Sequence, residues 1–364
     1  MSQKVLIISQ TIYPRLVPRA HRATELAKEM ARQGCDVTLL AALGGYDYTD
    51  FMRTTGITVK DLGHSSFEWR TSAGNKNIAF WRKAVIFVLR KWFYFPEVLF
   101  TRRVCKYMNN NVDFDRIITI AIPYSIHWGM GRARRRNPKL QDVVWISDCG
   151  DPFMGNGHGG PPFYFKWVEK RWCRSTDYIT VPTELAINGY YPEFRNKIRV
   201  IPQGFVFDDN LLAHYEKNNV PTFAYSGMVY PQKRDPRRFL DYLVNRKGDF
   251  KFVVYTNKPD MFKPYFEKLG DKIEMRDYVP HDQLIHELSK MDFVINIRNE
   301  STVQVPSKLI DYYLTHRPIL EITSAFNERD TFEEFCNEDY HGQTVIEHPE
   351  RYNICNVAKT FCEL

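Results

Sequence analysis

The stretch from Asp292 to Ile322, DFVINIRNESTVQVPSKLIDYYLTHRPILEI, restricts the fold more than any other part of the chain. Two short apolar runs, at 293–297 and 318–322, have the length of buried strands, and the segment between them that opens at Pro306 reads as a helix. Proline suits a first helical turn, so the free N–H groups of Ser307, Lys308 and Leu309 are expected beyond the carboxyl end of the first strand, where an anion binds well. Asp311, one turn further on, is then placed to accept hydrogen bonds from a ribose. A generic strand-helix-strand unit with a solvated aspartate has the same pattern, so the rest of the chain must decide.

That alternation runs through the whole sequence. An apolar strand at 4–9 (KVLIIS), a periodic helix at 18–33 closed by Gly34 and a second strand at 35–42 open the chain as a parallel sheet does. Strands are expected again at 116–121, 143–148, 178–183 and from 197, with helices at 124–136 and 164–175. After a polar connector at 204–220, a second series follows at 223–225, 251–255, 273–276, 293–297, 319–322 and 344–346. The expected class is α/β, with two Rossmann-like doubly wound domains facing a cleft. Their limits are 1–203 and 204–345, with 346–364 as a tail able to return to the first domain. A chain of 364 residues that is 44% hydrophobic can bury two such cores. The seven cysteines lack CxxC or metal-ligand spacing, which implies reduced thiols and no zinc site. With MSQKVLIIS leading straight into a strand and no long apolar run, the expected location is the cytoplasm, with peripheral contact at the inner face of the plasma membrane left open.

Three loops carry candidate chemistry. The first turn, QTIYPRLVPRAHR, has prolines and arginines where GxGxxG would have glycines, so Arg15, Arg19 and Arg22 are candidates for bidentate phosphate contacts, or a solvated helix start. The glycine- and proline-rich loop SDCGDPFMGNGHGGPPF puts Asp148, Asp151 and His158 at a strand's carboxyl end, with Asp151 either a site residue or the cap of an Asx turn. In SGMVYPQKRDP, Gly227 permits close approach of a ligand to the backbone, and Lys233 and Arg234 follow as cations for a pyrophosphate. Between 78 and 111, Arg82, Lys83, Arg90, Lys91, Arg102, Arg103 and Lys106 are interleaved with Trp81, Phe87, Trp92 and Phe93. This suits an anionic membrane surface or a lipid-linked substrate, and equally a packed helix with a basic outer face. Nucleic acid is not an expected partner, because no nucleic-acid module accompanies the stretch.

IRVIPQGF, FAYSGMVYPQK and VPSKLIDYYLTHRPIL resemble the bacterial glycosyltransferases of family 4 and their relatives, whose fold is the two-domain GT-B type. The resemblance extends over nearly the whole chain. It implies that the second domain holds a sugar nucleotide through Lys233 and through Asp311, the second of two carboxylates eight positions apart; the first falls on Gln304. The arginine common after the glycine turn is Met228 here, the glycine-rich first loop is the segment from Pro14 to Arg22, and the histidine after the fourth strand is absent, with His127 about two turns too far along. These departures point to a polysaccharide-type branch.

The resemblance further implies a nucleotide-sugar donor, a UDP-sugar foremost, and a glycan or lipid-linked oligosaccharide acceptor. It implies retention of anomeric configuration and chemistry with no metal or other cofactor, in keeping with the missing DxD-like pair. Fixed cations would stabilise the departing diphosphate most in the transition state, a role for Lys233, Arg234 and the N–H groups around Ser307. Asp151 would orient or deprotonate the acceptor hydroxyl. A non-catalytic, basic-surfaced binding module that keeps the fold is the alternative.

Overall fold

The computed structural model describes residues 2–15, 17–63, 80–156, 160–231, 234–277, 279–298 and 307–364. The chain divides into two compact units, Met1–Gly204 together with Arg351–Leu364, and Phe205–Glu350.

The first unit is built on seven parallel strands in the order β3-β2-β1-β4-β5-β6-β7. They are β1 (Lys4–Ile8), β2 (Asp36–Ala41), β3 (Thr58–Asp61), β4 (Arg116–Ile120), β5 (Val144–Asp148), β6 (Tyr178–Val181) and β7 (Ile198–Val200). Because successive side chains point to opposite faces, the apolar run of β1 serves two cores at once. Val5 and Ile7 join Leu26, Met30 and Ile118 on one side, while Leu6 and Ile8 join Phe100, Trp145 and Trp172 on the other. Helices α1 (Pro18–Arg32), α2 (Thr49–Thr55), α4 (Leu99–Asn110), α5 (Ser125–Arg136) and α6 (Phe165–Ser175) pack around the sheet, whereas α3 (Phe80–Phe93) is largely exposed. β3 falls where the sequence shows little strand signal. Its TVKD has no buried residue, and it is held instead by pairing with β2 at the sheet edge.

The second unit has five parallel strands in the order β10-β9-β8-β11-β12: β8 (Thr222–Ser226), β9 (Lys251–Tyr255), β10 (Ile273–Arg276), β11 (Phe293–Ile297) and β12 (Ile319–Ile322). Its helices are α7 (Arg237–Asn245), α8 (Lys263–Leu269), α9 (His281–Leu288), α10 (Ser307–Tyr313) and α11 (Arg329–Cys336). Phe223 stacks on Phe293 at 4.9 Å and on Phe252 at 5.2 Å, and Phe332 meets it edge-on at 5.3 Å. Such ring contacts add to area burial and fix how the helices seat on the sheet. The strand expected at 344–346 does not form. Thr344 N–H donates to the Ile319 carbonyl at 2.8 Å, but no ladder follows, and Val345 is exposed. The last helix, α12 (Ile354–Glu363), belongs to the first unit, where it packs on α1 and the Cys355 carbonyl accepts from Gln33 Nε2.

Candidate functional site

In the second sheet the chain steps outward from β8 to β9 and β10 and then returns to β11 on the other side of β8. Ligands of open α/β sheets bind at the carboxyl ends of the strands flanking such a reversal. The glycine turn leaves β8 at this point, and α10 is the helix that follows β11. Gly227 has φ +132, a conformation open to glycine, and a Cβ there would lie 1.2 Å from Lys308 Nζ. The amine thus occupies the space the missing side chain vacates. Lys308 Nζ donates to the Ser226 carbonyl at 2.9 Å, and Tyr312 Oη accepts from Ser226 N–H at 2.9 Å. Burial, reinforced by the Arg234 guanidinium, pushes the Lys308 amine down to about 8, and Asp311 works against that shift. Two cations and a carboxylate therefore act on one another beside the end of β8.

Asp311 has a partner that sequence spacing does not reveal. His281, first residue of α9, lies with Nε2 2.9 Å from Asp311 Oδ1, and its Nδ1 is 3.5 Å from Asp282. The hydrogen bond with Asp311 raises the imidazole above its ordinary value. Ser307 and Leu309 lie at the start of α10, a helix of seven residues. Lys233 and Gln304 lie outside the described residues.

In the first unit, Arg22 and Asp148 have a different job from the one expected. Arg22 Nη2 and Nε reach the two Asp148 oxygens at 3.0 and 3.2 Å, Arg22 Nη1 donates to the Pro202 carbonyl at 2.6 Å, and Thr180 donates to Asp148 at 2.8 Å. Burial alone would raise the Asp148 carboxyl, but Arg22 outweighs it and holds the group below the usual range. Both side chains are buried and saturated, so this pair ties α1 to β5 and to the chain leaving β7 rather than meeting a phosphate or an acceptor. Arg19 lies against Gly150, where a Cβ would come within 1.1 Å of its guanidinium. Arg15 is exposed, and His158 lies outside the described residues. His127 is a core residue: Thr119 Oγ1 lies 2.7 Å from Nδ1, and burial pushes the ring down to about 3, so it stays neutral.

Asp151 lines a cavity of about 560 Å³ beside the β5 loop. Phe87, Arg90 and Lys91 of α3, with Tyr94 just after it, form one wall; Ile122, Tyr124 and the loop residues Pro152, Phe153, Asn156, Gly160 and Pro161 form the rest. The Asp151 backbone carbonyl accepts from the Tyr124 hydroxyl, which anchors the loop. A second stripe of α3, Trp81, Val85, Val88 and Trp92, is solvent-exposed, as are Phe87, Arg90 and Lys91 beside the cavity. Sequence reasoning expected a cationic face and a separate aromatic, apolar face on this helix, whereas Phe87, Arg90, Lys91 and Tyr94, at i, i+3, i+4, i+7 spacing, bring basic and aromatic residues to one side. No described helix is long and apolar enough to cross a membrane. Among the described residues no group of three or more His, Cys, Asp and Glu side chains could hold a metal ion.

No protein-family model and no curated protein matches the sequence. Solved structures match along its full length. A glycosyltransferase from Rickettsia africae covers 100% of this chain and 97% of its own, with a TM-score of 0.64 at 11% identity. Anabaena HepE, solved in complex with UDP, covers 99% of both chains with a TM-score of 0.64 at 11% identity. The lipopolysaccharide outer core galactosyltransferase WaaB covers 99% of this chain and 98% of its own, with a TM-score of 0.58 at 12% identity. Identities this low speak of architecture alone, and two parallel sheets with interleaved helices, matched from end to end, give this protein the GT-B fold.

Proposed function

We propose that this protein is a glycosyltransferase that moves a sugar from a nucleoside-diphosphate donor, a UDP-sugar foremost, to a glycan or lipid-linked oligosaccharide acceptor in cell-surface polysaccharide assembly. The observation that carries the reading is the meeting of Gly227, Lys308 and Asp311 at the reversal of the second sheet, with Arg234 close enough to act on Lys308. A diphosphate needs an open backbone turn and fixed cations, and a ribose needs a carboxylate, so one helix supplies a contact to each part of the nucleotide. HepE, of the same fold, was solved with UDP and with UDP-glucose, which favours uracil as the base.

Lys233 and Arg234 stabilise the departing diphosphate, aided by Lys308 and the N–H groups of Ser307 to Leu309, and Gln304 completes the donor contacts. The motif likeness to family 4 argues for retention of configuration, and the cations take the place of a metal. Asp151, at the wall of the first unit's cavity, orients or deprotonates the acceptor hydroxyl, a contribution of about 10²–10⁴ in rate where general-base catalysis operates. Arg15 and Arg19 remain candidates for phosphate contacts at the mouth of the first sheet. The exposed aliphatic and tryptophan stripe of α3, among basic residues, suits peripheral contact with an anionic cytoplasmic leaflet.

Calorimetric titration with UDP, with and without a chelator, tests the reading. Saturable binding that the chelator leaves unchanged is the expected result. Absence of UDP binding would favour the non-catalytic module.

A further inference from the structure

Among the described residues, the Asp311 side chain has His281 as its hydrogen-bond partner. The two come from different helices, His281 opening α9 after β10 and Asp311 lying in the second turn of α10 after β11. The strands run parallel, so this contact lies at the same end of the sheet as the glycine turn that leaves β8. Each ring nitrogen of His281 faces a carboxylate, Nε2 at 2.9 Å from Asp311 Oδ1 and Nδ1 at 3.5 Å from Asp282 Oδ1. Both nitrogens are therefore called on to donate, which favours the imidazolium. The hydrogen bond with Asp311 outweighs burial and raises the ring above its ordinary value. The His281 side chain is 47% exposed and that of Asp311 20%, and an ion pair so open to water adds little to folding stability. What the contact does fix is a direction. With Oδ1 taken by His281, Oδ2 of Asp311 keeps its lone pairs for another donor. The Lys308 amine, one turn earlier on α10, attracts the same carboxylate, and the tether from α9 opposes that pull.

We propose that His281 is the positioning residue of the ribose site: its Nε2–H, donated to Oδ1 of Asp311, holds the carboxylate so that Oδ2 accepts from the 2′ and 3′ hydroxyls of the donor nucleotide. The assignment rests on the transferase reading and narrows the donor to ribonucleotides, since a sugar nucleotide lacking either hydroxyl leaves a fixed, partly buried acceptor unpaired. His281 touches no reacting atom and acts through Asp311.

The test measures by calorimetry the affinities of UDP, 2′-deoxy-UDP and 3′-deoxy-UDP for the parent, His281→Ala, His281→Gln and Asp311→Ala. All three ligands carry the same diphosphate, so the ratio of deoxy to ribo dissociation constants isolates the sugar contact. In the parent that ratio should be about ten or more, the effect of losing a charge-assisted hydrogen bond. Asp311→Ala should bring it close to one, and His281→Ala should lower it by about three-fold or more. His281→Gln, whose amide N–H places a donor where Nε2 stood, should keep the ratio within about two-fold of the parent's. A merely structural tie between the two helices would change all three affinities together and leave the ratio unaltered. A parent-like ratio in His281→Ala, or a ratio lost equally in the Ala and Gln variants, would overturn the positioning role; if Asp311→Ala still abolishes the ratio, the ribose carboxylate and the transferase reading stand. A parent ratio near one would remove both residues from the ribose while leaving a UDP site. A parent that binds no UDP would sink the transferase reading and the positioning role with it.

Discussion

Nucleotide binding should draw a proton onto Lys308. The amine falls from its ordinary 10.5 to about 8, a difference worth roughly 3 kcal/mol before solvent around this partly buried group screens some of it. Its folded value lies below its unfolded one, so between about pH 8 and pH 10.5 the unfolded chain binds more protons and stability rises with pH. At neutral pH the charged amine is therefore a burden on the folded state, one that a diphosphate bound beside it, as proposed, would relieve. A bound diphosphate should return the amine toward its ordinary value. From a value of about 8, the uptake should be about half a proton per nucleotide at pH 8 and about 0.9 at pH 9. Affinity should then decline with a limiting slope of about ten-fold per pH unit above pH 8, a range in which the phosphates are already ionised. Calorimetry in buffers of differing ionisation enthalpy reads the uptake directly. Lys308→Met should abolish it and weaken UDP binding, while thermal stability near pH 7 holds or rises. A heat of binding independent of buffer at pH 8, or the same proton taken up by the variant, would refute the placement of this amine beside the diphosphate.

Asp311→Ala should weaken nucleotide binding by about 1–3 kcal/mol, and 2′-deoxy and 3′-deoxy nucleotides should lose less in the variant than in the parent. Gly227→Ala combines a positive φ with a Cβ placed 1.2 Å from Lys308 Nζ, so the displaced amine should cost about ten-fold or more in UDP affinity, read by calorimetry. Arg22→Leu leaves Asp148 buried without its counter-charge and should lower unfolding free energy by about 3–5 kcal/mol in urea. Because the Asp148 carboxyl is held low, its contribution in the parent should be present at neutral pH and lost as pH falls below the ordinary carboxylate range. Trp81→Ser with Trp92→Ser should reduce co-sedimentation with anionic vesicles; an unchanged pellet would mean that the exposed stripe does not contact the bilayer.

Local pattern alone specified most of the interior strands and that they lie parallel between helices. Apolar runs as short as KVLII and FVINI can be buried on both faces only in a parallel sheet flanked by helices, and that requirement is readable residue by residue. The glycine turn at Gly227 and the carboxylate of Asp311 were legible for the same reason, since each sits at a fixed offset from a strand or helix end. Edge elements escaped, because the TVKD strand is stabilised by its neighbour's backbone and not by its own side chains, while 344–346 has strand composition but no ladder. Pairings between distant segments were out of reach altogether. Asp148 and Arg22 are 126 residues apart, and Asp311 and His281 are 30 apart. Whether a charged side chain on a promising loop faces a ligand or a buried counter-charge depends on which strands lie side by side. Local spacing in the sequence does not encode that order; the tertiary structure decided it, turning Arg22 and Asp148 into a core tie and filling the space beside Gly227 with Lys308.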